Sequence, residues 1–455
     1  MGTVRRAAVA GAFYPGDPRQ LAAEVDELLG GVEQFEPRFG HPKALVVPHA
    51  GYIYSGPVAA AAYDELAPAR GIVKRVVLLG PVHRVPVRGL AMPDSEAFET
   101  PLGQVPLDGA AATGLAGLKQ VVKSEPAHAM EHSLEVQIPF LQRVLGGFSL
   151  VPLAVGAASV AEVAEVIERL WGGDETLIVV STDLSHYHSY TEARRIDGAT
   201  LQRIVSCATD IDHEEACGAT PLNGLLHVAR ARGLTVRLLA ACNSGDTAGG
   251  KGRVVGYSAF ALHDGGAFSP EQAGQMLVSI AQTAIAHELG LAQAPRTDGA
   301  AWLSQTGATF VTLVKDGQLR GCIGSLAASR ALGADVAANA VAAALRDPRF
   351  PPLTKQEWPR CAVEVSLLST PKPIRFADEA DLLEQIRAGV DGIILECDGK
   401  RATYLPQVWE GLPEKRRFLD ELKRKAGLPA ETRLARCKVS RYRVLKWKQA
   451  DAGTH

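Results

Sequence analysis

ALVVPHAGYIYSG, residues 44–56, joins an uninterrupted aliphatic run to a proline and a histidine, and then to a segment of helical period. A run that is apolar at every position, not at alternate ones, reads as a strand covered on both faces. The same pattern recurs along the first half of the chain. VVLLG at 76–80 leads into Pro81-Val82-His83, LIVVS at 177–181 into Thr182-Asp183-Leu184-Ser185-His186, and VRLLAA at 236–241 into Cys242, while LVPLAV at 150–155 is a further run of this kind. Between them lie stretches of helical period, Pro57 to Leu66, Ser133 to Val144, Val160 to Leu170 and Glu192 to Val205. This alternation predicts an α/β domain built on a doubly wound, largely parallel sheet.

In open α/β sheets ligands bind beyond the carboxyl ends of the strands. Four of the runs end on groups suited to that position, namely His49, His83, the Asp183/His186 pair and Cys242. A single histidine after a strand more often satisfies a loop than binds anything, but four strand ends of this kind argue for a site. Two imidazoles and a thiolate, His49, His83 and Cys242, make a three-ligand set for iron, copper or zinc with positions left for substrate. Asp183 and His186, three residues apart, suit a carboxylate beside a general acid or base. The segment EHSLEVQIPF (131–140) opens a helix, from whose start His132 or Glu131 reaches the same region. On local pattern it is equally well read as Ser133 capping the helix and Glu135 decorating it, so His132 ranks below Asp183 and His186. Cys207 and Cys217 read as small buried apolar residues, and His188, His213 and His227 as structural. GDTAGGK (245–251) begins like a phosphate-binding loop, but Gly252 replaces the required Ser or Thr, and a strand-like run follows where a helix is needed.

A chain of 455 residues exceeds a typical single core, so two domains are expected. The seam falls near residue 266, after His263-Asp264-Gly265-Gly266, where Ser269 as N-cap, Pro270 and Gln272 open a helix to about His287. Forty-eight basic and fifty acidic residues leave a net charge of -2, with no global attraction for nucleic acid or for a membrane surface. No run approaches the roughly twenty apolar residues of a spanning helix, and the opening MGTVRRAAVAGAFYPGDP lacks the pattern of a signal peptide. Seven irregularly spaced cysteines suit a reducing compartment better than a disulfide framework, which makes a cytoplasmic location the expectation.

The strings AGAFYP (10–15), VPHAGYIYSG (47–56), LLGPVH (78–83), EHSLEVQIPF (131–140), STDLSH (181–186) and CNSGD (242–246) together resemble the Memo family over residues 1–265. That family is similar in fold to class III extradiol dioxygenases, non-haem iron enzymes. The resemblance implies His49, His83 and Cys242 as ligands with Asp183 and His186 adjacent. A thiolate in place of a carboxylate changes the electronics of the metal and is itself oxidisable, so ring cleavage does not carry over. What is expected is an oxidoreductase using Fe(II), or copper, on a small organic substrate. In it His186 would move protons, Asp183 would orient His186, and His132 would be a further catalytic candidate. A zinc-dependent hydrolase is the alternative enzyme, and a metal- or peptide-binding scaffold the non-catalytic one. Residues 270–448 resemble an AMMECR-type α+β domain through FVTLVKDGQLRGCIGSL, ALRDPRFPPL, VEVSLL, YLPQVWE and FLDELKRKAGL. Such domains accompany Memo-type proteins and a radical S-adenosylmethionine protein, the AmmeMemoRadiSam association, which implies that protein as a pathway partner. Within this domain Arg320 and Cys322 read as part of a packed turn before they read as an anion-binding or nucleophilic pair.

Overall fold

The computed structural model describes residues 3–32, 40–264, 270–429 and 431–449. The chain forms two compact units that divide within residues 265–269. The expected seam at 266 and the Ser269 cap lie outside the described residues.

The N-terminal unit is organised by a 9-stranded sheet. Its strands are β1 (Ala44–Val47), β2 (Arg75–Pro81), β3 (Leu90–Met92), β4 (Val121–Lys123), β5 (Ser149–Val155), β6 (Thr176–Ser181), β7 (His186–His188), β8 (Thr235–Asn243) and β9 (Val254–His263). β1, β6, β2 and β5 run parallel as the heart of the sheet. The continuous apolar runs within them follow from double coverage. Leu45, Val47, Val76, Leu78, Leu177 and Val179 enter one core, and Ala44, Val46, Val77, Leu79, Ile178 and Val180 enter the other. Each such aliphatic side chain removed from water contributes about 1.5–3 kcal/mol.

Helices α1 (Pro18–Gly31), α2 (Tyr52–Asp64) and α3 (Ile138–Leu145) supply residues to the first core, and α4 (Val160–Arg169) and α6 (Ala219–Arg232) to the second, while α5 (Tyr190–Val205) contacts β8 and β9. α2 begins five residues before Pro57, the expected start, because Tyr52 N–H donates to the Phe13 carbonyl and Ser55 Oγ donates to the Ala50 carbonyl. The proline is thereby carried inside the helix. The flanks of the sheet correct the expectation of parallel strands throughout. β9 is antiparallel to β1, and β8 is antiparallel to β9, with Thr235, Arg237, Leu238 and Ala241 exposed, so VRLLAA is an outer strand and not a doubly covered one. Two reversals restore direction, so β8 still ends on Cys242 and Asn243 at the edge where β1, β2 and β6 end.

The C-terminal unit is α+β. β10 (Thr309–Lys315), β11 (Gln318–Gly324), β12 (Cys361–Leu368) and β17 (Val444–Lys448) form a sheet in the order β11-β10-β12-β17, against which α7 (Pro270–Glu288) and α8 (Leu332–Leu345) pack. β13 (Lys372–Pro373), β14 (Gly392–Cys397), β15 (Lys400–Tyr404) and β16 (Lys438–Tyr442) form a second sheet beside α9 (Lys415–Lys425). The register of β14 on β16 pairs Glu396 with Lys438, which sets Cys397 beside Cys437, and the two are joined by a disulfide. This corrects the reading of all seven cysteines as thiols. The pair is separated by 40 residues, and only strand register brings it together. Arg320 is buried on Glu357 and on the Pro351 carbonyl, and the Cys322 N–H donates to Asp347, so this segment is a packed strand edge. Among the described residues no helix is long and apolar enough to cross a membrane.

Candidate metal centre

His49 follows β1 by two residues, His83 follows β2 by two, and His132 lies in the turn before α3. Their ring centroids are 5.2 Å apart for His49 and His83, 5.4 Å for His49 and His132, and 4.6 Å for His83 and His132. Each offers a ring nitrogen, and the three nitrogens lie within 4.8 Å of one another. That spacing suits donors converging on a single ion. Gly80 makes the approach of the turn that carries His132 feasible, since a Cβ there would meet Ser133 Oγ at 2.8 Å.

The hydrogen bonds fix the tautomers. Ser181 Oγ donates its only proton to the Ser133 carbonyl at 2.7 Å and accepts from Gln137 Nε2 at 3.0 Å. Its remaining contact, His49 Nδ1 at 2.8 Å, must therefore be a bond in which the ring N–H donates to oxygen. His49 Nε2 is therefore the unprotonated ring nitrogen, with Cys217 Sγ 3.3 Å from it. Gln137 is held in turn by donating to the Pro48 carbonyl and accepting from Tyr63 Oη. His83 Nδ1 donates to Glu131 Oε1 at 2.9 Å, which frees Nε2 of that ring too. A carboxylate behind a ligating imidazole is the usual means of orienting it.

Glu131 also accepts from the backbone N–H groups of His83, His132 and Ser133. Burial pushes its carboxyl up, but the His83 ring and the Ser133 and His83 backbone N–H groups together hold it at about 2. Burial holds His132 down to about 4 and places His49 well below the usual imidazole range. Both rings are thus neutral at physiological pH, the form that binds metals. His49 is almost fully buried, whereas the His83 side chain is 31% exposed.

Asp183 stands behind His49, not His186. Its Oδ1 accepts from the His49 backbone N–H at 2.8 Å, and its Oδ2 is 4.0 Å from His49 Nε2. His186 Nδ1 instead pairs with the Leu184 carbonyl, so the expected orienting contact between the two is replaced. Burial raises the Asp183 carboxyl to about 7. Because this acid is raised in the folded state, the stability it contributes is present below the ordinary carboxylate range and is lost as pH rises through about 7. In metal-free protein, thermal stability is expected to fall between pH 5 and 8 by an amount that Asp183→Asn abolishes. Parallel pH profiles for the two proteins would contradict the assignment.

Cys242 is half-buried at the end of β8, paired in register with Tyr257, and its thiol is pushed up to about 11 by burial and by Asp246. It is not in the group of three converging donors, where His132 stands instead. Cys217, expected to be a mere apolar residue, has its Sγ 3.3 Å from His49 Nε2 and accepts from the Asp183 N–H. The only local sign of this is the glycine that follows. A Cβ at Gly218 would meet the Ser181 carbonyl at 2.7 Å, so glycine lets this loop pass against the end of β6. Glu135, expected on the surface, is fully buried and binds Arg5, Tyr14 and the backbone of Ala8 and Val9.

Comparison with known sequences adds to this geometry. The family described as Memo-like protein matches residues 5–261, and the AMMECR1 family matches residues 278–447. A MEMO1 family protein of Aquifex aeolicus is 37% identical over 268 residues, which are 56% of this chain and 97% of that protein. MEMO1 family proteins of Sulfolobus acidocaldarius and Methanopyrus kandleri are each 36% identical, covering 56% and 57% of this chain and 97% and 99% of theirs. Among solved structures, an uncharacterized protein of Pyrococcus horikoshii is 31% identical, with a TM-score of 0.35, over 39% of this chain and 92% of that one.

Proposed function

From membership of the Memo family, to which the chain belongs through residues 5–261, we propose that the N-terminal unit is a metal-dependent oxidoreductase with a mononuclear centre. The observation that carries this reading is the pair of unprotonated Nε2 atoms on His49 and His83, fixed by Ser181 and Glu131 and joined by His132 in one group of donors within 4.8 Å. Such a donor set fits Fe(II), with copper and zinc as ions that the same imidazoles accept. When bound, Fe(II) would supply electron transfer to oxygen beside a small organic substrate. The residues of the chain then have separate tasks. His83 lines the entrance, Asp183 holds or releases a proton beside His49 Nε2, and His186, half-buried on the same edge, moves protons between the pocket and solvent.

A second reading takes Cys242 as the third ligand, as the family resemblance implies. It is favoured by Tyr257, which pairs in register with Cys242 and whose hydroxyl is raised by burial first and then by the charges of Asp183 and Cys242. Zinc hydrolysis is the competing chemistry. The AMMECR-type unit would then dock the substrate or the radical S-adenosylmethionine protein of the same pathway. The test is nitric oxide added to anaerobic, Fe(II)-loaded protein. A high-spin nitrosyl EPR signal is expected, because three protein ligands leave positions free; its absence from iron-loaded protein would sink the oxygen-chemistry reading.

A further inference from the structure

His49 Nε2, the nitrogen that the hydrogen bonds leave unprotonated, faces a sulfur that the three-imidazole reading does not use. Cys217 Sγ is 3.3 Å from it. Because the His49 ring proton is on Nδ1 and is given to Ser181 Oγ, Nε2 can only accept, so this contact is a thiol S–H donating to nitrogen. A proton thus occupies the line between an imidazole nitrogen and a sulfur.

The distance is also the one that two ligands of a single ion keep. A nitrogen about 2.0–2.1 Å and a sulfur about 2.3 Å from one metal stand roughly 3.1–3.6 Å apart for bond angles between square and tetrahedral. The observed 3.3 Å lies inside that range, so the pair needs no rearrangement to share an ion. The sulfur is outside the group of three imidazole nitrogens held within 4.8 Å of one another, and His49 is the donor common to both sets.

Backbone bonds place this sulfur. Cys217 N–H donates to the Asp183 carbonyl at 3.2 Å, Asp183 N–H donates back to Sγ at 3.3 Å, and Gly218 N–H donates to Thr182 Oγ1 at 2.9 Å. The three bonds fasten the start of α6 to the end of β6, the same strand end whose Ser181 fixes the His49 ring. An N–H aimed at a sulfur favours its thiolate, the form that binds metals. The side chain is therefore held at ligand distance from His49 by groups that also suit it to ligation.

Resting on the metal-centre reading above, we infer that Cys217 is a thiolate ligand of the ion held by His49. Binding forms a metal–sulfur bond and breaks the S–H bond, and the proton leaves to solvent. The thiolate also makes the centre selective, since soft sulfur favours copper, zinc and iron over magnesium, calcium and manganese.

The test is Co(II) titration of the full chain, anaerobic and with its thiols reduced, for wild type, Cys217→Ala and Cys242→Ser. Cobalt affinity and the near-ultraviolet charge-transfer band that a thiolate gives with Co(II) are both read. The band is expected in wild type and in Cys242→Ser. Cys217→Ala is expected to lose it, with cobalt affinity down at least about tenfold, the least that loss even of an outer partner costs. A band weakened in both variants would make both thiols ligands and sustain the inference. A band at full strength in Cys217→Ala, a band absent from cobalt-loaded Cys242→Ser, or cobalt bound to wild type with no band would overturn it and leave the metal centre standing on its imidazoles. If Cys217→Ala does not fold, the band in Cys242→Ser decides by itself. Failure of cobalt to bind wild type would strike the metal centre, and this inference with it.

Discussion

Glu135→Ala is expected to lower the stability of the N-terminal unit by about 3–5 kcal/mol, the cost of stranding a buried charge. Arg5 and Glu135 are 3% and 0% exposed, and the guanidinium and carboxylate are in direct contact. The carboxylate also accepts from Ala8 N at 2.8 Å, Val9 N at 3.0 Å and Tyr14 Oη at 2.5 Å. Removing it leaves a cation and three polar donors without partners in the interior. The charge repels ionisation of Tyr14, whose hydroxyl is raised well above its ordinary range by burial first and by Glu135 next. Arg5 further donates to the carbonyls of His128 and Glu131, so the same cluster anchors the turn that carries His132. Urea unfolding followed by tryptophan fluorescence checks the figure. A loss below about 1 kcal/mol would mean that the cluster is solvated and that residues 5–14 are not fixed by it.

The second large effect is on metal affinity. Glu131→Gln should weaken metal binding about 10- to 100-fold with the fold intact. The carboxylate accepts four N–H bonds, from the His83 ring and from the backbone of His83, His132 and Ser133. Glutamine can accept at one oxygen only, and its amide would face N–H donors, so His83 loses the partner that fixes Nε2 toward the pocket. Competition with a chromophoric chelator measures the change, and circular dichroism monitors folding. Wild-type affinity in this variant would mean that His83 is oriented by some other group.

His49 and His83 were legible in the sequence because each follows a continuous apolar run, and the rule that parallel strands deliver ligands at their carboxyl ends then applies. His132 was less so. It comes from a turn, where a capping serine and a polar first turn explain the same letters, and only the approach of that turn to Gly80 decides between them. Glu135 misled for a similar reason, since nothing local shows that the chain's own N-terminus closes over it. Asp183 was found, but its partner was misassigned, because loop conformation rather than spacing sets whether a carboxylate meets its i+3 neighbour or the backbone of another strand end. Cys217 and the Cys397–Cys437 bond depend on contacts across 168 and 40 residues, which no window of sequence contains. β8 was recognised as a strand, and its antiparallel pairing was not, because an outer strand with so aliphatic a sequence resembles a central one.

The most direct measurement is elemental analysis of anaerobically purified protein, comparing wild type with His49→Ala, His132→Ala and Cys242→Ser made in parallel. Near-stoichiometric iron, or copper, in wild type and its loss in His49→Ala and His132→Ala is the predicted result, with Cys242→Ser retaining metal. Metal lost in Cys242→Ser and kept in His132→Ala would transfer the third position to the thiol, and a wild type without metal, or a His49→Ala variant that keeps it, would contradict the metal centre itself.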